Sequence, residues 1–428
     1  MRILIITTQY HPALNPNVFR WSAIAEHWTQ QGHEVHILCA RRRGVANESE
    51  INKVHVHRAG QASLLDMMYN LLNIRQRRGE LSVNRPVNKN KIRLWVEKLV
   101  DFTWRIIYWP DGSCVWYLAA KKRAIKLQQI FDFEAVISVA QPFTPHLVAA
   151  ALKRRFPQIQ WLMDIEDPFA FSEAVFINNR RLYQRFNYKQ EGRLLAQANA
   201  VSVTVDTAMQ RYKQHFSLII NKIAVTPPLY SLPKAAEKFT VTPDKIHIGY
   251  FGAFYYPIRS PDILLELFQK LNKPDWVLHF FGEIAPVFQP VFTKYTALLP
   301  NLQLHGLVPR VQVAAAMQAM HVLVNVGNTT DYHLPSKCAD YMMSGKPIIN
   351  LSYSNPDPFT DFMRPYPMVL HIDVRAGLKD LHLEKIHTFI AQNQDKKIDQ
   401  AQLEALIKPY TVAHVADQYW QLLQKSTD

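Results

Sequence analysis

Two apolar rhythms alternate along this chain. Short unbroken apolar runs, such as "RILIITT" after the first residue and "HVLVNVG" at 321–327, have the pattern of strands buried on both faces of a parallel sheet. Between such runs lie stretches with apolar residues three or four apart, the spacing of a helix. The opening run is followed by a loop with Pro12 and Pro16, then by helical "VFRWSAIAEHWTQQ", which Gly32 stops, then by a second strand, "HEVHILCA". This strand–loop–helix–strand order predicts a right-handed crossover onto a parallel sheet. "FEAVISVA" and "IQWLMDI" predict later strands with the helix "PHLVAAALKRRF" between them, and "AVSVTV" predicts another.

Proline-rich "TPPLYSLPKAAEKFTVTPDK" (226–245) breaks the series and reads as a linker. The alternation then restarts. "KIHIGYFGAF", "WVLHFFGE", "LQLHGLV", "HVLVNVG" and "KPIINL" predict strands, "PDILLELFQKL" predicts a helix, and "VAHVADQYWQLLQK" is an amphipathic final segment. The expectation is two α/β domains in series, with the boundary near residue 235. Open α/β sheets bind ligands at the carboxyl ends of their strands, so the crevice between two such domains is the expected site.

Composition narrows the function. A chain of 428 residues that is 48% hydrophobic can build two or three cores. A formal net charge of +14 suits nucleic acid, an anionic membrane or a phosphorylated substrate. No zinc-finger, RRM or basic-zipper pattern accompanies it, so nucleic acid is not expected. Cys39, Cys114 and Cys338 have no metal-like spacing, which suits a reducing, cytoplasmic setting. The opening apolar run is too short for a signal peptide, and no run of about 18 apolar residues predicts a membrane span. One stretch, 73–109, sets many cations beside Leu94, Trp95, Leu99, Phe102, Trp104, Ile107 and Trp109. It suits peripheral binding to an anionic membrane surface, and equally a core helix beside a solvated basic loop.

Candidate chemistry gathers in the second half. Gly252 ends a strand, where the missing side chain lets a ligand approach the backbone. Arg259 follows, just before the helix that starts at Pro261 or Asp262, and an arginine there can bind phosphate bidentately. Alone it would read as a surface arginine. Gly282 ends the next strand. "HGLVPR" (305–310), with Gly306, is a turn whose backbone near Val308 is placed to read a base edge. In "LPSKCADYMMSGKPIINL" (334–351), Pro335 or Ser336 starts a short helix that Gly345 and Pro347 end. Lys337 then falls in the first turn, where the macrodipole disfavours a cation. A pyrophosphate at that helix start would make Lys337 a ligand, and Asp340, three residues on, could hold a ribose diol. The plain alternative is a surface Lys–Asp pair of about 0.3–0.5 kcal/mol. Combined with Arg259 and the strand-end glycines, the nucleotide reading is preferred.

These residues carry a resemblance. Over nearly its full length the chain resembles GT-B glycosyltransferases of the glycosyltransferase 4-like type, in their proline–Ser–Lys branch. The 334–351 segment looks like that family's proline–(Ser/Gly)–Lys, acid–Tyr–Met, Gly–Lys–Pro donor segment. "IGYFGAFYYPIRSPDILLELFQKL" is similar to its glycine loop, basic residue and helix. "SVAQPFTPHLVAAALKRRFPQIQWLMDIEDPF" is similar to a Pro-Phe-Ser/Thr helix leading to a strand that ends Asp-x-Arg-Asp-Pro-aromatic. "YHPALNPNVFRWSAIAEHWTQQGHEVHIL" matches the opening unit with its proline and arginine. Three departures stand out. Tyr332 and Asp340 replace two glutamates eight apart, Glu166 stands where arginine is usual, and "ALNPNVF" replaces a glycine-rich loop.

The resemblance implies two Rossmann-like doubly wound domains facing a cleft: an acceptor domain over 1–232, a nucleotide-sugar donor domain over 233–408, and a C-terminal helix, 409–428, packing back toward the first. It implies sugar transfer from a nucleotide-diphosphate sugar to a glycan or lipid-linked acceptor in bacterial surface polysaccharide synthesis, with retention, no cofactor and no obligatory metal. By position, Arg259 and Lys337 would neutralise the donor pyrophosphate, Asp340 would hold the ribose, and Gly252, Gly282, Gly306, Val308 and Ser336 would shape the pocket. Pro12, Asn17, Arg20 and Thr144 would lie on the acceptor side. Asp167, just past a strand end, is the best first-domain acid for positioning acceptor or donor sugar, although Asp164 and Asp167 could equally cap a turn. Other readings are a non-catalytic nucleotide-binding partner in polysaccharide assembly and a carboxylate-pair hydrolase using "DIED".

Overall fold

The computed structural model describes residues 1–13, 15–71, 103–104, 106–173, 177–230, 238–254, 256–296 and 301–425. The chain forms two compact units. The first takes the described residues up to Pro227 and returns for the helix Val412–Lys425; the second takes Pro228–Thr411.

Eight strands make the sheet of the first unit: β1 (Arg2–Ile6), β2 (Glu34–Arg41), β3 (Glu48–Ile51), β4 (Val54–Gln61), β5 (Ala135–Val139), β6 (Gln160–Ile165), β7 (Ala200–Val203) and β8 (Ile223–Val225). Their order is β3-β4-β2-β1-β5-β6-β7-β8. Every pairing is parallel except β3 with β4. Ile3 to Ile6, Val136, Ile137 and Leu162 are fully buried, as unbroken apolar runs require of central parallel strands. The reversal of strand order lies between β1 and β5. The β3–β4 hairpin was not expected from the sequence. Its two-residue turn is Asn52–Lys53, both with positive φ, the backbone that matches strand twist in a tight hairpin.

The second unit has six parallel strands: β9 (Ile246–Phe251), β10 (Trp276–Phe281), β11 (Leu302–Gly306), β12 (Val322–Val326), β13 (Ile348–Ser352) and β14 (Val369–Asp373). Their order, β11-β10-β9-β12-β13-β14, is that of a dinucleotide-binding sheet, with its reversal between β9 and β12. Ile248, Val322, Val324 and Leu351 are fully buried beneath its helices.

The C-terminal helix completes the core of the first unit. Tyr419 is fully buried with its ring 4.8 Å from Trp21, and Trp420 stacks on His33 at 4.1 Å. Most of the basic stretch 73–109 lies outside the described residues, and with it the membrane-surface expectation. Of its aromatics, Trp109 donates to Asn187 Oδ1 at 2.9 Å and Trp104 packs with Leu64, Leu65 and Met68. Among the described residues no helix is long and apolar enough to cross a membrane.

Candidate active site

The second unit places its candidate residues around the carboxyl ends of β9 and β12, where a crevice opens because neighbouring strands send their connections to opposite faces. The two strands pair only as far as Val324 and Tyr250. Beyond that point Tyr341 enters between them. Its hydroxyl accepts the Phe251 N–H at 2.9 Å and donates to the Val324 carbonyl at 3.0 Å, replacing the ladder bonds the strands give up. Tyr341 belongs to the helix Cys338–Met343, so this contact fixes that helix at the crevice.

Gly252 follows β9 with φ +154, a backbone that L side chains rarely adopt, and a Cβ there would stand 3.8 Å from Arg259 Nη1. At Gly282 a Cβ would meet the Gly252 carbonyl oxygen at 1.9 Å. These two strand ends approach too closely for any side chain. Gly282 N–H also donates to the Gly306 carbonyl at 2.9 Å, so the three glycines step across β9, β10 and β11.

Arg259 is oriented rather than loose. Its Nε and Nη2 donate to Asn328 Oδ1 at 3.1 and 2.7 Å, and Nη1 reaches the Tyr250 hydroxyl at 3.4 Å. Asn328 is buried just past β12 and donates to the His333 carbonyl at 2.8 Å. The loop from Gly327 thus holds Arg259 with its second residue and ends at Lys337. The helix begins at Cys338, two or three residues later than expected, which makes Lys337 its N-cap. Lys337 Nζ lies 3.3 Å from Asp340 Oδ2, an ion pair between a partly exposed cation and a buried carboxylate. Arg310, which opens the helix Arg310–Ala319, interacts electrostatically with Asp340 as well. The carboxylate therefore sits between two cations. Ser336 is exposed beside Lys337, and Val308 packs against the apolar cluster beneath the helix. Tyr332 is fully buried against His333 at 4.4 Å between ring centroids. The residue standing in the first acid's place is a core residue.

In the first unit, Asn17, Arg20 and Glu166 come together after β1 and β6. Asn17 hydrogen-bonds the Glu166 carboxyl and donates to the Ala140 carbonyl at 3.0 Å. Burial, and after it the charge of Asp167, pushes Glu166 up to about 8, against the opposing pull of Arg20. Its carboxyl is therefore biased toward the protonated form. Arg20 is buried; its Nη2 donates to the Tyr419 hydroxyl and, at 3.3 Å, to the Thr226 carbonyl. Asp164 caps no turn. It lies within β6, accepting Trp21 Nε1–H at 3.1 Å and the Tyr419 hydroxyl at 2.6 Å. Thr144 is drawn into the interior, where its N–H and hydroxyl both donate to Asp111 at 2.8 Å. Pro12 is exposed on a loop that Arg58 braces through the His11 carbonyl at 2.9 Å.

Sequence reasoning missed Asn328, Tyr341, Arg310 and the upward shift of Glu166. Only the Asn after "VNVG" and the Tyr in the quoted helix carried any signal. The missing information was pairing, since Arg259 meets an asparagine 69 positions away.

No family model matches the sequence, and no curated protein matches it. Solved structures do. Sucrose-phosphate synthase from Thermosynechococcus elongatus is 15% identical, over 99% of this chain and 98% of that chain, with a TM-score of 0.64. Anabaena HepE in complex with UDP and glucose is 12% identical, over 99% and 100%, with a TM-score of 0.58. WaaG, a glycosyltransferase involved in lipopolysaccharide biosynthesis, is 11% identical, over 100% and 98%, with a TM-score of 0.58. The chain has the fold of these proteins: two Rossmann-like units of the GT-B type, shared from end to end.

Proposed function

We propose that the protein is a glycosyltransferase that binds a nucleotide-diphosphate sugar on its second unit and transfers the sugar to a glycan or lipid-linked acceptor. One observation carries the reading: Arg259, held by Asn328 and Tyr250, stands beside side-chain-free Gly252 at the reversal point of the sheet. A fixed guanidinium beside bare backbone suits a diphosphate. The occurrence of UDP and glucose in a structural neighbour supports the same chemistry.

Glycosyl transfer depends on stabilising the leaving diphosphate. Arg259 would do so electrostatically without reorganising, because it is already positioned, and Lys337 would add its charge on turning from Asp340. The diphosphate's negative charge would compete with Asp340 for Lys337 and free that carboxylate to accept the ribose hydroxyls. On the first unit, Glu166 would donate its proton in a hydrogen bond to the acceptor or donor sugar, with Asp167 beside it as the charged partner. We assign retention of anomeric configuration, metal-independent transfer, a role in bacterial surface polysaccharide synthesis at the cytoplasmic membrane face, and an anionic-membrane contact through 73–109 to the same proposal.

Calorimetry with UDP, GDP and ADP tests it. One of them should bind, and Arg259→Ala and Lys337→Ala should each weaken it by about tenfold or more, the worth of a charge-assisted hydrogen bond. Failure of all three nucleotides to bind would sink the proposal. Binding without donor hydrolysis or transfer to any acceptor would assign a non-catalytic role instead.

A further inference from the structure

One edge of the first unit carries a pattern that sugar transfer does not use. Strands β2, β3 and β4 each present two titratable residues two positions apart: Glu34 and His36, Glu48 and Glu50, His55 and His57. Residues so spaced share a face of a strand. The register then aligns them across the sheet, His36 opposite His55, His55 opposite Glu50, and His57 opposite Glu48.

Four of these groups form a continuous chain. Glu34 Oε1 lies 2.9 Å from His36 Nε2, His36 Nδ1 lies 2.9 Å from His57 Nε2, and His57 Nδ1 contacts Glu48 Oε2. Each of the three junctions needs one hydrogen. Two ionised carboxylates bring none, and two neutral imidazoles bring one each. The chain is short of one positive charge. Arg123 shows where. Its Nη2 donates to Glu48 Oε1 at 2.6 Å and lies 3.3 Å from His57 Nδ1, so the cation sits at this end of the chain, and the tautomer that also satisfies Glu48 Oε2 carries its hydrogen on His57 Nδ1. His57 Nε2 then accepts from His36 Nδ1–H, and His36 Nε2 aims a lone pair at the Glu34 carboxylate. The histidine chain of the second unit has no such conflict. There His247 Nε2 donates to the Thr242 carbonyl, and His279 and His305 follow, so three neutral rings supply all the hydrogens needed.

A third donor stands at the conflicted end. Ligand atoms of Glu34, His36 and His55 all lie within 4.8 Å of one another. The Glu34 side chain is 40% exposed and gives access from solvent, whereas Phe131, 4.3 Å from His36 between ring centroids, covers the buried side. We propose that Glu34, His36 and His55 bind a divalent transition-metal ion of the zinc class, with His57 and Glu48 orienting His36 from behind. Two imidazoles and a carboxylate form a zinc-type donor set, and a ligating histidine whose far nitrogen hydrogen-bonds onward is the usual way such a ligand is fixed. A proton would settle only the His36–Glu34 junction, and His55, with its Nδ1 3.8 Å from Glu50 Oε2, would gain nothing from it. The site lies near the starts of β2 and β4, at the end of the sheet away from Asn17 and Glu166, so the ion would brace the edge hairpin and take no part in transfer.

Zinc titrated into the chelator-treated, full-length protein tests this. We expect a single equivalent to bind in the micromolar range or tighter and to raise the melting temperature. His55→Ala and Glu34→Gln should each weaken binding by about tenfold or more. His305→Gln, in the other histidine chain, should leave it unchanged. Both ligand variants alter partly or fully exposed side chains, and their far-UV spectra without metal should match the parent. If His55→Ala does not fold, the visible absorption of bound Co²⁺ in the parent and in Glu34→Gln reads the same ligands. No zinc binding, or binding equally tight in both ligand variants, would overturn the proposal. So would a metal-free parent whose only response at this cluster is to pH, since the missing charge would then be a proton.

Discussion

Glu191 shows how far a single residue's surroundings set its chemistry. It is buried in the helix Arg180–Gln197, accepting the Ala170 N–H and the Tyr212 hydroxyl, each at 2.8 Å. Burial pushes it from its ordinary 4.5 to about 7, more than those two donors hold it down. Between these values the folded chain holds a proton that the unfolded chain releases, so stability falls as pH rises across that window. Glu191→Gln keeps the shape and removes the titration. Denaturant unfolding at several pH values should show the parent losing about 3 kcal/mol relative to the variant from pH 4.5 to pH 7.5. A constant difference would mean that Glu191 is ionised in the fold. Nothing in the local sequence "YKQEGRLL" distinguishes this glutamate from a solvated one. The same blindness hid the upward shift of Glu166, whereas Lys337 was legible because helix-start chemistry is local. Asn328 was not, because its importance comes from an arginine far away in sequence.

At the scale of elements, most strands were legible because burial on both faces leaves unbroken apolar runs, whereas β8, β14 and helices such as Tyr117–Phe131 and Arg180–Gln197 were not read. The β3–β4 hairpin escaped. "ESEI" has one apolar residue, and its turn is Asn–Lys rather than the Asn–Gly that marks such turns. The start of the helix Cys338–Met343 was placed too early, since cap geometry depends on the loop that feeds it. Its anchor, Tyr341, makes a prediction at this scale. Tyr341→Phe leaves the Phe251 N–H and the Val324 carbonyl unpaired between β9 and β12 and should cost about 1–3 kcal/mol of stability. Nucleotide affinity should fall with it, because the helix carrying Lys337 and Asp340 loses its register on the sheet. Calorimetry on the folded variant would count against this positioning role if affinity were unchanged.

For the whole molecule, the two series of strands were legible, but their spatial order was not. Strand order depends on which crossovers reverse, and apolar runs do not encode that. The two units should unfold separately in a calorimetric scan. A bound nucleotide should raise only the transition of the second unit, by mass action. Removing residues 412–428 should lower only that of the first, because Arg20 and Asp164 lose the Tyr419 hydroxyl and Trp21 loses the ring packed on it. A single transition that both changes shift together would show that the units unfold as one.

That last helix also bears on how the protein is made. A ribosome delivers the chain from its amino end, and domains ordinarily fold in that order. Here Arg20 and Asp164 are synthesised before the second unit, but their partner, Tyr419, only after it. The second unit, complete by Thr411, can close while the first still waits. The expected order of folding is thus the reverse of the order in which the two units are begun: the second can mature first, and the first is sealed by a helix made after it.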